Sequence, residues 1–327
     1  MKAIRCHGSG DIADLTLEDI PSPIATADEV RIRVQACGVG FPDLLIAQGR
    51  YQLKPAPPFT LGGEFAGVVV EAGASVTSLQ RGDRVAGFTD IGAFAEEMVA
   101  PAARAHRVPD RVSMEAAAAF TLNYATAYAG LKTCAGLRKG ERLLVLGAAG
   151  GIGLAAVELG KLMGASVIAA ASSEEKLALC RRYGADETIN YAEVDLRDAI
   201  RNLTGNRGVD VVIDPVGGQW SEAAFRGMAW RGRHVVLGFA AGQIHKLPLN
   251  LPLLKGASMM GISIGELARR APDAYAENIA ELLGWLGDGL LRPFVGKVFP
   301  LEDAPQALRD LAARRTIGKS LIQVHAG

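Results

Sequence analysis

A glycine-rich turn between an apolar strand and an apolar helix carries the clearest chemical signal in this sequence. After the run RLLVL, residues 147–153 read GAAGGIG and lead into LAAVELGKLMG. A turn without Cβ atoms lets backbone amides approach a pyrophosphate, and the helix N-terminus adds about half a positive charge. The sequence therefore predicts that Gly150, Gly151 and Ile152 bind a dinucleotide, while Gly153 lets the helix pack on the strand. The alternative is a tight turn that binds no ligand.

The next strand ends without the acidic residue of an NAD site. Such a site expects a carboxylate about 20 residues beyond the loop, where it accepts a hydrogen bond from the ribose 2′-hydroxyl. Here the strand ends in alanines, followed by Ser172, Ser173 and Lys176. Two hydroxyls and an ammonium can bind a 2′-phosphate through charge-assisted hydrogen bonds. NADPH is therefore the expected cofactor. The alternative is that the serines cap the following helix and Lys176 is a solvated charge.

A parallel sheet is needed to position these residues, and the sequence predicts one. From Glu141 onward, apolar β-branched runs such as VDVVIDPV and RHVVLGF alternate with helical segments. This alternation is typical of a sheet covered by helices on both faces. We expect an α/β fold with a doubly wound Rossmann domain over residues 123–257.

The remaining chain indicates a second, β-rich unit. Residues 1–122 contain short strands such as DEVRIRVQACGVG and GEFAGVVVEAG, closed by glycine, proline or aspartate. GASMMGISI predicts a further strand, and the tail predicts a helix and a last strand that return to the N-terminal unit. The expected domains are residues 1–122 with 258–327, and residues 123–257.

Composition limits the classes of partner. The chain has 35 basic and 35 acidic residues, so no global field would recruit nucleic acid or an anionic membrane. Its four cysteines are scattered without a CxxC pair, which argues against a disulfide framework. The first residues show no leader, and a cytoplasmic location is expected.

Several motifs together resemble one family along almost the whole length. Besides AAGGIG they are ACGVGFPDLLIAQGRY, PFTLGGEFAGVVVEAG, RGDRVAGF, VDVVIDPVGG and RTIGKSLI. With these motifs the chain resembles the zinc-independent quinone oxidoreductase branch of the medium-chain dehydrogenase/reductase superfamily, which includes ζ-crystallin. The resemblance implies a GroES-like catalytic domain beside the Rossmann domain. It also implies a homo-oligomer formed through the apolar strand GASMMGISI as a sheet edge; a dimer is expected, with a tetramer as the alternative.

The resemblance also implies that no metal is bound. In zinc-dependent relatives a catalytic cysteine would stand at Gly40 and a histidine at Gly63. A catalytic zinc needs three protein ligands and an open fourth position. Two of the three ligands are therefore missing, and Cys37 is interpreted as a small buried residue.

Individual roles follow from the same resemblance. Thr126 would lie beside the nicotinamide, with Phe41 packed near it, and Tyr191 would lie on the adenosine side. Gly238 and Phe239, at the end of a sheet strand, would meet the far side of the cofactor.

Two further residues could hold or move a proton. Tyr51 matches a tyrosine that is thought to donate a proton in the related enoyl-thioester reductases; the alternative is a structural tyrosine that covers the cofactor. Asp43 also matches the family pattern, and we interpret it as a turn or cap residue.

The leading functional hypothesis is NADPH-dependent reduction of a quinone or an α,β-unsaturated carbonyl without zinc. An enoyl-thioester reductase is the alternative among enzymes, although no basic cluster for the coenzyme's phosphates is visible. A non-enzymatic role, as a crystallin-like or RNA-binding protein, is the alternative from another class. Zero net charge and the lack of a basic-aromatic face count against RNA.

Overall fold

The computed structural model describes residues 1–8 and 10–325, which form two compact units. The first unit contains the chain up to Leu122 and from Leu283 onward, and the second contains Asn123–Leu282. Among the described residues, the first unit holds a seven-stranded and a three-stranded sheet and the second holds a six-stranded sheet; each unit is described by itself below.

The N-terminal segment is mostly strand. Its elements are β1 (Lys2–Cys6), β2 (Leu15–Asp19), β3 (Glu29–Gly38), α1 (Phe41–Ala47), β4 (Phe59–Thr60), β5 (Glu64–Ala72), β6 (Arg84–Phe88), β7 (Glu97–Pro101), β8 (Ala105–Arg107) and α2 (Met114–Ala118).

The middle segment alternates strands and helices. Its elements are α3 (Thr121–Tyr128), a π-helix (Ala129–Cys134), β9 (Arg142–Leu146), α4 (Gly151–Leu162), β10 (Ser166–Ala171), α5 (Glu174–Arg182), β11 (Glu187–Asn190), α6 (Leu196–Leu203), β12 (Val209–Asp214), α7 (Gln219–Arg226), β13 (Met228–Val236), α8 (Asn250–Lys255), β14 (Ser258–Gly261), α9 (Ile264–Arg270) and α10 (Pro272–Gly287). The C-terminal segment adds β15 (Val295–Pro300), α11 (Ala304–Ala312) and β16 (Lys319–Gln323).

The first unit is built on a seven-stranded sheet. Its strand order is β15-β16-β3-β5-β6-β8, and β7 also pairs with β3. β3 alternates between buried and less buried residues over most of its length, as expected for a strand with one face on a core. β16 pairs antiparallel with β3, so the tail returns to this unit as the sequence predicts.

The second unit is a six-stranded parallel sheet in the order β11-β10-β9-β12-β13-β14. The predicted doubly wound sheet is confirmed. β9 and β12 are neighbours although β10 and β11 come between them in sequence, so the strand order reverses at this pair. In open sheets of this type, ligands bind beyond the carboxyl ends of the strands at such a reversal.

The second domain boundary lies later than the sequence suggests. Sequence patterns put the change at 257/258, whereas the second compact unit extends to Leu282. The physical reason is that β14 pairs with β13 as the sixth strand of the parallel sheet, and the side chain of Asn278 in α10 donates to Thr133 Oγ1.

Candidate active site

The glycine loop joins β9 to α4 at the strand reversal. Gly147 has φ of +57°, a left-handed conformation that favours glycine. A Cβ on Gly153 would overlap the carbonyl oxygen of Gly147 and lie 2.8 Å from the Ala148 Cα. Gly153 therefore permits the close strand-to-helix approach that the sequence predicts. The N-cap of α4 is Gly150, which has no side chain that could accept from the first backbone amides of the helix.

Contacts tie this loop to the carboxyl ends of the neighbouring strands. The Ala148 amide donates to Ala170 O at 3.0 Å, which joins the loop to the end of β10. The Tyr191 amide donates to Ala171 O at 3.1 Å, so the residue after β11 also reaches that strand end. A Cβ on Gly147 would lie 2.7 Å from a methyl group of Val216, which follows β12.

The predicted residue Gly238 lies at the same edge. A Cβ at this position would lie 3.3 Å from Pro215 O, just beyond β12, and Phe239 follows it as a partly exposed ring. The structure thus brings the predicted residues after β9, β10, β11 and β13 to one edge of one sheet.

The end of β10 carries no carboxylate. Ala171 is buried, Ser172 is exposed, and Lys176 Nζ lies 3.3 Å from Ser172 Oγ. Ser173 Oγ accepts a hydrogen bond from the Lys176 amide at 3.4 Å and caps α5. The capping alternative therefore holds for Ser173, while Ser172 and Lys176 form a polar pair at the strand end.

A buried aspartate that the sequence analysis did not single out shapes the loop after β12. Asp214 Oδ1 accepts from the amides of Val216 and Gly217, and its Oδ2 accepts from Ser221 Oγ at 2.5 Å. Oδ2 also lies 3.0 Å from His234 Nε2. Burial opposes ionisation, but the partners His234, Gly217 and Ser221 together hold the pKa of Asp214 below its usual value. The position of Asp214 at the end of a predicted strand, directly before PVGG, is the sequence feature that could have indicated this role.

Trp220 is a second residue that the sequence analysis missed. Its ring lies 4.5 Å from that of Tyr191, centroid to centroid, at an angle of 35°. The predicted adenosine-side tyrosine is thus held by an aromatic partner from α7.

Thr126 lies on α3, almost fully buried. One turn earlier on the same face, the Asn123 side chain packs on the loop, because a Cβ on Gly151 would lie 2.7 Å from Asn123 Nδ2. α3 therefore runs past the start of α4, with Thr126 one turn from the contact.

In the first unit, Asp43 links two loops. Its Oδ2 accepts from the Gly40 amide at 2.7 Å and its Oδ1 accepts from the Gly63 amide at 3.0 Å. The cap interpretation of Asp43 agrees with this geometry. Burial raises the pKa of Asp43 to about 6, although the two amides and the Lys319 ammonium act in the opposite direction.

A buried ion pair lies beside Asp43. Lys319 Nζ is 2.7 Å from Glu64 Oε2, and both side chains are at most 5% exposed. Glu64 Oε1 also accepts from the Leu122 amide at 2.7 Å. Burial raises the pKa of Glu64, and Lys319 partly offsets that effect. The cluster thus holds two carboxylates and one ammonium.

Phe41 and Tyr51 belong to the same unit, where both rings are half-buried against its core. Burial raises the pKa of the Tyr51 hydroxyl, and the carboxylates of Asp90 and Asp43 add to this shift. A tyrosine hydroxyl with its ordinary pKa of about 10 is already protonated at neutral pH, as a proton donor must be, and the upward shift makes Tyr51 a weaker acid.

Known proteins resemble this chain over nearly its full length. Residues 26–110 match the alcohol dehydrogenase GroES-like domain, and residues 151–283 match the zinc-binding dehydrogenase family. Rat quinone oxidoreductase-like protein 2 is 40% identical over 312 residues, covering 95% of this chain and 89% of the rat protein. Pig quinone oxidoreductase is 31% identical over 325 residues, covering 98% and 97%. The crystal structure of Escherichia coli quinone oxidoreductase complexed with NADPH matches with a TM-score of 0.93 at 29% identity, over 99% of this chain and 100% of that one.

The chain belongs to the quinone oxidoreductase branch of the medium-chain dehydrogenase/reductase superfamily. It is therefore an oxidoreductase, and the predicted GroES-like and Rossmann-type parts are both confirmed. None of the helices among the described residues has the length and apolar character needed to traverse a lipid bilayer.

Gly40 and Gly63 are the positions where the resemblance places the zinc ligands of zinc-dependent relatives. Gly40 and Gly63 offer no donor side chain, and their amides bind Asp43 instead. Cys37 is fully buried, and its thiol donates to Ala93 O at 2.6 Å. Within residues 1–8 and 10–325, no group of three or more His, Cys, Asp or Glu side chains could hold a metal ion.

Proposed function

We propose that this oxidoreductase uses NADPH to reduce a quinone or an α,β-unsaturated carbonyl, without zinc. The observation that carries the cofactor assignment is the end of β10, where the Ser172–Lys176 pair replaces the carboxylate of an NAD site. The NADPH complex of the related E. coli quinone oxidoreductase supports the same cofactor. When bound, NADPH supplies the hydride.

The proposed roles of the residues follow from their positions. Gly150, Gly151 and Ile152 present the first amides of α4 to the pyrophosphate, and Tyr191 borders the adenosine. Thr126 fixes the nicotinamide ring through its hydroxyl. Further residues proposed to contact the cofactor are Phe41, Ser172, Ser173, Lys176, Gly238 and Phe239.

The cofactor assignment predicts a preference that Lys176 largely sets. Removing one charge-assisted hydrogen bond costs about 1.5 to 3 kcal/mol, so Lys176→Ala should lower kcat/KM for NADPH by about 10-fold or more. The value for NADH should stay within about 2-fold, because NADH has no 2′-phosphate. Steady-state kinetics with both nucleotides and a benzoquinone, a simple enone and an acyl thioester would measure this. Lys297→Ala, an exposed lysine of the first unit, is the control. A wild-type preference for NADH would reject the assignment.

Reduction without a metal requires another source of charge stabilisation and a proton. Preorganised hydrogen-bond donors can stabilise the developing oxyanion. The proposal of zinc independence is supported by the donor-free positions Gly40 and Gly63. Stoichiometric zinc in protein as isolated would contradict it.

Tyr51 is the proposed proton donor. A tyrosine hydroxyl is protonated at neutral pH, which suits donation but not abstraction. We expect Tyr51→Phe to lower kcat for enone reduction by about 100-fold, since general acid catalysis contributes about 10²–10⁴-fold. NADPH binding should be unchanged in a fluorescence titration. An unaltered kcat in this variant would leave Tyr51 with a structural role only.

A homodimer and a reducing, cytoplasmic location complete the proposal. β14 pairs with β13 on one side only among the described strands, and the exposed apolar Met259 lies on it, so this edge suits pairing with a second copy. All four cysteines are free, which suits a reducing compartment. Sedimentation equilibrium at the mass of a single chain would contradict the dimer.

A further inference from the structure

α3 and α4 are joined by a buried hydrogen bond between side chains. Tyr124 Oη donates to Glu158 Oε2 at 2.6 Å, and the two residues are 3% and 6% exposed. Nearer the start of α4, Asn123 packs on Gly151. The two helices therefore meet at two points, one at the dinucleotide loop and one about two turns further along α4.

Glu158 is an unusual residue for its surroundings. It lies in the run LAAVELG, where Ala155, Ala156, Val157 and Leu159 are all buried. Burying a carboxylate costs several kcal/mol unless partners satisfy it, and an apolar pair of similar size would pack two helices at least as well. Packing alone therefore does not account for a glutamate here.

A hydrogen bond differs from apolar packing in that it fixes direction. A ring packed on aliphatic side chains can slide or turn with little change in energy, whereas an O–H···O bond weakens steeply with angle. Tyr124 lies between Asn123 and Thr126 on α3, so fixing its hydroxyl fixes both the rotation of α3 and its height along α4. Thr126 is thereby set relative to the first turn of α4.

We propose that Tyr124 and Glu158 are positioning residues, which hold α3 so that Thr126 meets the nicotinamide of a dinucleotide bound at the start of α4. This rests on the proposed function. Neither residue touches the reacting atoms. Their effect passes through Thr126, and a displacement of about 1 Å at such a contact can cost about 100-fold in rate.

The test compares Tyr124→Phe with Glu158→Gln. Tyr124→Phe removes the donor, and the rate of hydride transfer in a single turnover should fall by about 10-fold or more. Kd for NADPH should stay within about 3-fold, because the pyrophosphate contacts with α4 remain. The emission spectrum of bound NADPH should shift, since the nicotinamide environment changes. Glu158→Gln keeps an acceptor for Tyr124 and should retain a rate within about 3-fold of the wild type.

α3 provides a matched control. Tyr128 Oη donates to Glu281 Oε2, also at 2.6 Å, but this pair joins α3 to α10 and not to α4. Tyr128→Phe should leave the rate and the NADPH emission within about 2-fold of the wild type, because the contact between α3 and α4 is retained. If Tyr128→Phe lowered the rate of hydride transfer as much as Tyr124→Phe does, the proposal would be overturned. The effect would then not depend on the contact between α3 and α4.

A double variant separates positioning from stability. Tyr124→Phe/Glu158→Leu replaces the pair by apolar groups of similar size and should unfold at a urea concentration no lower than the wild type. Its hydride transfer should nevertheless be slow. A wild-type rate and emission spectrum in this variant, or in Tyr124→Phe, would overturn the positioning role while NADPH oxidation by the wild type upholds the proposed function. If the wild type bound no NADPH, both would fail.

Discussion

Lys319→Met is expected to destabilise the protein by about 3–5 kcal/mol at neutral pH, the cost of leaving a buried charge without its partner. Lys319 is 5% exposed. Its ammonium forms an ion pair with Glu64 and also stabilises the charged form of Asp43 electrostatically. Methionine fills a similar volume but carries no charge. Because a typical domain is stable by about 5–15 kcal/mol, this loss would be a large fraction of the total. Urea unfolding measures it.

The deficit should shrink as the pH falls. Without the ammonium, the pKa values of Glu64 and Asp43 rise further above their unfolded values, so the folded variant binds more protons than the unfolded chain. Between the unfolded and the folded pKa values of these carboxyl groups, the free energy of unfolding of the variant therefore increases as the pH falls and decreases as the pH rises. A deficit that stays constant between pH 5 and about pH 8 would contradict this account.

Glu64→Gln/Lys319→Met is the matched control. Glutamine can still accept the hydrogen bond from the Leu122 amide, and the second charge of the pair is removed with the first. Most of the lost stability should return, since neutralising a whole buried pair costs far less than breaking it. If the double variant were as unstable as Lys319→Met, the ion pair would not be the cause.

Local sequence patterns were sufficient to predict the parallel sheet and its glycine loop. The strand before Gly147 and the helix after Gly151 have distinct periodicities, and the turn chemistry between them depends on neighbours in sequence. The absence of an acidic residue at the end of β10 could likewise be predicted from the local sequence. Even there, Ser173 proved to cap α5, a role that the same residues allow equally well.

Pairs of residues distant in the chain could not be predicted. Glu64 and Lys319 are each ordinary charged residues in sequence, and only the pairing of β16 with β3, itself paired with β5, brings them together. Asn123 likewise reads as a polar residue in an alanine-rich stretch, yet its side chain lies on Gly151. Such contacts depend on tertiary packing, for which one sequence carries no local signal.

Alanine substitutions at two glycines of the loop, Gly153 and Gly150, should distinguish its structural role from its ligand-binding role. Gly153→Ala is expected to lower the free energy of unfolding by about 3 kcal/mol, because the added methyl group meets backbone atoms of Gly147 and Ala148 that cannot move aside. The sign is informative, since alanine in a helix interior is normally about 1 kcal/mol better than glycine. Gly284→Ala in α10, where nothing lies within 4 Å of the added Cβ, should show that ordinary gain.

Gly150→Ala, in contrast, should leave the free energy of unfolding nearly unchanged and weaken the binding of NADPH. Gly150 has φ of −81°, which alanine also adopts, and the nearest atom to its Cβ would be Gly147 O at 3.3 Å. The free energy of unfolding should change by about 1 kcal/mol or less. The methyl group would, however, occupy the path by which a pyrophosphate approaches the amides of α4, so affinity for NADPH should fall by about 10-fold or more. Urea unfolding and NADPH fluorescence titration of both variants decide the matter. If Gly150→Ala bound NADPH as the wild type does, the loop would be a tight turn without a ligand. Its glycines would then serve only close contacts between backbone atoms, as Gly153 does.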